Sequence, residues 1–342
     1  MSVLRNLRLF MAAAIALVVA NVFAGHTAMA AVCGGQDLLS KLEGENPELY
    51  QQVADAAGKT PNGEAMLWKI DGNGAAAPSY LLGTIHMTDE RVAKLSEPVR
   101  EVLQKVKTVA LEIANVGDKQ AMQAELGKRP DLMVLKGGSL WDYMKPEMQE
   151  VIARQLEQVG IPQAVARRLQ PWLPAMTLAV SLCETQRNQA GHVVLDQALE
   201  AYAKAQGAQV VGLESAIEQF AIMSSMPLES QAIFLIDAAR MRDRVNDLNE
   251  TMIQAYLDRK VTWFIPLSKA IAKEEQTDAQ KTAEADFMSA LIDKRNANMA
   301  ERAEAMLKTG NALIAVGALH LPGDKGLVAL FRKQGFTVTA VN

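Results

Sequence analysis

Tyr80-Leu81-Leu82-Gly83-Thr84-Ile85-His86 and Ala312-Leu313-Ile314-Ala315-Val316-Gly317-Ala318-Leu319-His320 are two apolar runs that each close on a Gly-x-x-His tetrad. Short continuous aliphatic runs of this kind read as strands buried on both faces. A glycine three places before the histidine permits close backbone approach, and the strand end fixes the imidazole at the rim of a sheet. The tetrads hold two of the chain's four histidines. A lone histidine on an apolar stretch is more often a hydrogen-bonded rim residue than a ligand, but two in matching contexts point to one shared site. His192 has no such context, and His26 lies in an N-terminal segment read below as removed.

Working outward from the tetrads, Met66–Ile70 and Ser79–Ile85 read as a hairpin around Asp71-Gly72-Asn73-Gly74. Ser96 and Pro98 open a helix with Val99, Val102, Leu103 and Val106 at helical spacing, which leads to a strand over Thr108–Ile113 containing Glu112. The C-terminus repeats the grammar: strand Ala312–Val316, the His320 tetrad, a loop through Gly326, helix Leu327–Gln334, and a closing strand Phe336–Val341. Parallel strands joined by crossovers put their carboxyl ends on one sheet edge, so His86 and His320 are expected side by side. The expected fold is therefore α/β, with a mixed, partly parallel sheet, Gly-x-x-His strand ends at one edge, and a large helical middle region at about 120–309.

Two carboxylates join the histidines. Glu112 follows the buried-looking Val109-Ala110-Leu111, where a charge is costly unless paired or metal-bound, and Glu214 follows the short apolar run Gln209–Leu213. The competing reading for both is a helix N-cap or a surface residue just past a strand. Through the helical middle, prolines 130, 146, 162, 171, 174 and 227 break the pattern. Methionines such as Met223, Met226, Met241 and Met252 fall at helical intervals, as adaptable core residues do, although methionines also line flexible clefts.

Arg5 and Arg8, the apolar run Leu9–Phe23 and Ala28-Met29-Ala30 form a secretory signal peptide pattern over residues 1–30, so export to the periplasm or beyond is expected, with a start at Ala31 and no stable membrane anchor after cleavage. The whole chain carries 35 Lys+Arg and 39 Asp+Glu, net −4, and loss of Arg5 and Arg8 takes it to −6. An acidic body argues against nucleic acid as partner. Residues 31–342 contain no Pro/Gly/Ser linker and read as one domain. Cys33 and Cys183 would meet an oxidising compartment and are expected to pair, worth up to about 4–5 kcal/mol for so long a loop; the alternative is two inert thiols.

Taken together, the two Gly-x-x-His motifs, Ala110-Leu111-Glu112, Gly212-Leu213-Glu214 with Gln219, Arg295-Asn296, and Leu321-Pro322-Gly323 after His320 resemble the TraB/GumN/TIKI proteins over nearly all of the mature chain. The resemblance implies a fold akin to the ChaN and erythromycin-esterase group and, from the TIKI branch, a metal-dependent peptidase. It maps the functional histidines and glutamate onto His86, His320 and Glu112, and an Arg-Asn pair opening the last long helix onto Arg295 and Asn296. Two imidazoles with one or two carboxylates suit a divalent Zn, Mn or Co ion, with Glu112 or Glu214 as ligand or general base. Arg295 would stabilise an oxyanion or clamp a substrate carboxylate. No H-E-x-x-H is present. Three readings follow: a metal-dependent hydrolase of peptide or other amide bonds, which is favoured; a metal-free hydrolase with a His/Glu base; and a non-catalytic envelope scaffold linked to polysaccharide export or haem handling.

Overall fold

The aliphatic runs pair into a single six-stranded sheet. A computed structural model of the chain describes residues 33–115, 117–270 and 277–341; the signal-peptide reading falls outside them. Strands β1 (Leu67–Asp71), β2 (Ser79–Thr84), β3 (Thr108–Leu111), β4 (Gln209–Gly212), β5 (Ala312–Gly317) and β6 (Thr337–Ala340) lie in the order β4-β3-β5-β2-β1-β6. β4, β3, β5 and β2 run parallel, while β1 is antiparallel to both its neighbours. The turn of the β1–β2 hairpin needs left-handed backbone at three successive residues, Gly72, Asn73 and Gly74, residue types that tolerate it.

Alternate side chains of each strand serve opposite faces of the sheet. Leu81, Ala110, Ile314 and Val316 pack on one face against helices α12 (Lys294–Thr309) and α13 (Leu327–Lys333). Leu82, Val109, Leu111, Leu313 and Ala315 pack on the other against α3 (Glu97–Leu103) and α6 (Leu195–Ala205). Both faces are covered, which is why the strands read as unbroken aliphatic runs. Two N-terminal helices, α1 (Leu38–Glu45) and α2 (Pro47–Ala57), join the helical middle in a third cluster.

That middle opens with helices Lys119–Gly127 and Pro146–Gln158 and continues through α4 (Trp172–Ala179), α5 (Leu182–Gln189), α6, then β4, α7 (Ala216–Ser224), α8 (Leu228–Met241), α9 (Val245–Leu257), α10 (Phe264–Ala270), α11 (Asp278–Met288) and α12, with shorter pieces between. Every residue of α4 is buried, and its prolines Pro171 and Pro174 open the helix at its N-terminus, where their missing N–H groups are not needed. Between α11 and α12 the helix continues through a π-helical turn, Ser289–Asp293. Met223, Met226, Met241 and Met252 are core residues, as their helical spacing suggests. The Cys33–Cys183 disulfide is present, with Cα atoms 5.2 Å apart and 150 residues between them in sequence, and neither thiol is free. Among the described residues, no helix is long and apolar enough to cross a membrane.

Candidate functional site

Register decides where the site forms. Thr84 pairs with Gly317, and Leu111 pairs with both Ala315 and Gly212, so the carboxyl ends of the four parallel strands lie level at one edge. His86 follows β2 by two residues, outside any regular element, whereas His320 arrives on a tight turn, Ala318–His320, straight after β5. β3 ends at Leu111, so Glu112 is the first residue beyond the strand rather than within it. Backbone bonds continue the ladder past both strand ends, Leu213 N–H to Leu111 O and Glu214 N–H to Glu112 O, each 2.7 Å. The two glutamates are thereby set side by side.

Glu214 is not the helix cap: Ser215 caps α7, in a capping box with Glu218. Its buried carboxylate instead shares one arginine with Glu112. Arg295 Nη2 donates to Glu112 Oε2 at 2.6 Å, and its Nε donates to Glu214 Oε2 at 2.8 Å. The remaining guanidinium edge donates to Leu291 O at 3.2 Å, and Gln219 Nε2 reaches both glutamates. The guanidinium thus faces the two acids from the second residue of α12, with its charge already matched, rather than an open position for an oxyanion or a substrate carboxylate. Burial would raise the Glu112 pKa, but Arg295, His320 and His86 together hold it well below the usual carboxylate range. Glu214 is pushed up, chiefly by burial and only partly offset by Arg295.

Each imidazole is fixed through its Nδ1. His86 Nδ1 lies 2.9 Å from Asp196 Oδ2, and His320 Nδ1 lies 2.7 Å from Asn296 Oδ1. Asn296 Nδ2 donates to Lys325 O at 2.8 Å, which leaves Oδ1 as the atom facing His320. A carboxylate and an amide oxygen only accept, so both rings carry hydrogen on Nδ1 and turn Nε2 toward the same atom, Glu112 Oε1, at 3.9 Å for His86 and 3.5 Å for His320. That oxygen also accepts the Gly317 N–H at 2.6 Å, while His86 Nε2 has no hydrogen-bond partner. Burial alone would lower the His86 pKa, yet Asp196 and Glu112 raise it to about 10. Burial and the Arg295 charge drive His320 down to about 3.

The two tetrad glycines do different things here. A Cβ on Gly317 would sit 3.1 Å from Glu112 Oε1 and 3.4 Å from His86 Nε2, so the missing side chain keeps the centre of the site open. A Cβ on Gly83 would meet Ala318 Cα at 3.0 Å and Leu321 Cδ2 at 3.1 Å, so that glycine lets β2 pack against the turn carrying His320. The chain is a member of the TraB/PrgY/gumN family. The family's model matches residues 66–340, the sheet with everything between its strands. The YbaP proteins of Shigella flexneri and Escherichia coli, both described as uncharacterized, are each 24% identical over 74% of this chain, covering 88% and 87% of their own lengths. No solved structure matches.

The family geometry gathers His86, Glu112, Glu214, Arg295 and His320, and leaves His192 outside the cleft they floor. Asp196, which backs His86 and also accepts the Thr84 hydroxyl at 2.9 Å, carried no signal in the sequence, because an acid in the first turn of a helix is ordinary there. Tyr256, whose hydroxyl donates to Gly83 O at 2.8 Å, was equally hidden among helical apolar positions. As a donor set, two Nε2 atoms and one carboxylate oxygen suit a first-row divalent ion, with Asp196 and Asn296 as the outer partners that orient such ligands. They are spread wider than the roughly 3.3 Å between donors of a tetrahedral site with bonds of about 2.0 Å. Among the described residues, no group of three or more His, Cys, Asp or Glu is placed to hold a metal ion.

Proposed function

We propose that the protein is an exported hydrolase of peptide or other amide bonds, working at the floor of the cleft between His86, His320 and Glu112. The carrying observation is that two imidazole Nε2 atoms and Glu112 Oε1 converge on a space kept open by Gly317. With His86 protonated, its Nε2–H, the His320 Nε2 acceptor and the Glu112 carboxylate can orient a polarised water at that point; with both imidazoles neutral, three acceptors face one another there and favour a cation. The imidazoles divide the proton work, since their surroundings differ. His86, with a carboxylate near each nitrogen, is held protonated and placed to donate to the departing nitrogen; His320, beside Arg295, is held neutral, so its Nε2 can accept a hydrogen bond from the attacking water and orient it. Arg295 and the Gly317 N–H keep Glu112 ionised and in place. In the alternative, metal-holding form, those Nε2 atoms and Glu112 would hold a divalent ion of the Zn, Mn or Co class instead of handling protons, and the ion would supply Lewis-acid polarisation and a more acidic water.

Peptide-library turnover and elemental analysis of His86→Ala, His320→Ala and His192→Ala test this together. The first two are expected to lose turnover by about 100-fold or more, and His192→Ala to keep it. One divalent ion per chain in the parent, lost in the first two variants only, supports the metal-holding form; turnover by metal-free parent supports imidazole chemistry alone. Equal turnover in parent and both site variants refutes the proposal.

A further inference from the structure

The floor of the cleft carries charge, and its charged groups sit in opposed pairs, although His86 Nε2 has no hydrogen-bond partner. Arg295 is matched by Glu112 and Glu214, and His86 by Asp196. The hydroxyls beside it are also engaged, Tyr256 on Gly83 O and Thr84 on Asp196. What remains of the wall is carbon. Met252 of α9, Val261, Phe264 of α10, Leu291 of the π-helical turn and Leu319 enclose a small cavity of about 70 Å³ that ends at His86 and His320. The helical middle therefore does more than cover the sheet edge; it surrounds the site with apolar side chains from four separate segments.

Such a chamber discriminates by chemistry. A phosphate, carboxylate or ammonium entering it would lose water and find no unpaired counter-charge, and a sugar would leave most of its hydroxyls without partners. An aliphatic or aromatic group loses nothing and gains by leaving water. We infer that the cleft selects a neutral substrate bearing a bulky apolar side chain next to the bond to be broken. Placement of that side chain next to a scissile bond rests on the hydrolase reading above, whereas the preference for neutral apolar groups can be measured without turnover.

The test is equilibrium binding, by calorimetry or ligand-observed NMR, of four small amides to the full mature chain: N-acetyl-leucinamide, N-acetyl-phenylalaninamide, N-acetyl-lysinamide and N-acetyl-aspartamide. The two apolar amides are expected to bind about ten-fold or more tighter than the charged pair. Leu319→Trp, at a partly exposed position, and Val261→Trp fill the chamber and should each weaken apolar binding about five-fold or more; two variants are used so that a misfolded one does not decide the outcome. A charged amide binding as tightly as the apolar ones, unchanged affinity in a folded tryptophan variant, or no binding by any of the four overturns the inference. Because turnover is not read, an inactive enzyme that binds the apolar amides sinks the hydrolase reading and leaves this one standing.

Discussion

Glycine at position 317 is a functional choice and glycine at position 83 a packing one, although the two open matching tetrads. Gly317→Ala puts a methyl between Glu112 and His86, where the side chains can yield by tenths of an ångström, so turnover should fall about ten-fold or more while the melting temperature barely moves. Gly83→Ala meets backbone at Ala318, which cannot yield cheaply, and should cost about 1–3 kcal/mol in urea unfolding. An inverted result, with stability lost at 317 and kept at 83, would show the assignment is wrong. Arg295 faces a harsher accounting. Arg295→Met leaves Glu112 and Glu214 buried with no counter-charge, and a loss of about 3–5 kcal/mol is expected by denaturant titration. His86, Glu112, Glu214 and His320 were legible because each follows an aliphatic strand, where a titratable group is conspicuous. Asp196 was not, since nothing local separates an acid that reaches a histidine from one that merely suits a helix N-terminus.

At the level of elements, the loop carrying His86 is held from behind by α5. Buried Glu184 accepts from Thr88 N at 2.8 Å and from Thr88 Oγ1 at 2.7 Å, and Arg187 pairs with Asp89 at 3.0 Å. Asp89 also pairs with Arg91, which pairs in turn with Glu250 on α9. Arg91 and Arg187 hold the Asp89 carboxyl well below its ordinary value against the opposing effect of burial. A depressed carboxylate contributes stability above its unfolded pKa, near 4, that is lost as pH falls below it. Urea midpoints measured from pH 7 to pH 3 should therefore fall more steeply in the parent than in Asp89→Asn; parallel curves would remove this network from the acid response. The strands themselves were readable from aliphatic runs bounded by turn residues. β3 was read two residues too long because Ile113 is apolar, and the π-helical turn before Arg295 was invisible, since its residues differ in no way from those of the helices it joins.

Across the whole molecule, the shared carboxyl edge of the histidine-bearing strands follows from strand, crossover and strand, twice over, and could be read in advance, whereas the strand order could not. The assignment of the intervening helices to particular walls could not, because amphipathic periodicity says which face is buried and not what it meets. The disulfide ties these scales together, joining Cys33, before α1, to Cys183, the second residue of α5. Denatured parent should show no free thiol, and Cys33→Ser with Cys183→Ser should lower the melting temperature by about 5–15 °C; two titratable thiols in unreduced parent would contradict the bond. With only two cysteines in the chain there is a single possible pairing. Biogenesis thus calls for an electron acceptor but no proofreading: every intramolecular oxidation event is the right one, and yield under oxidising conditions is governed by how soon a partner 150 residues away comes into reach.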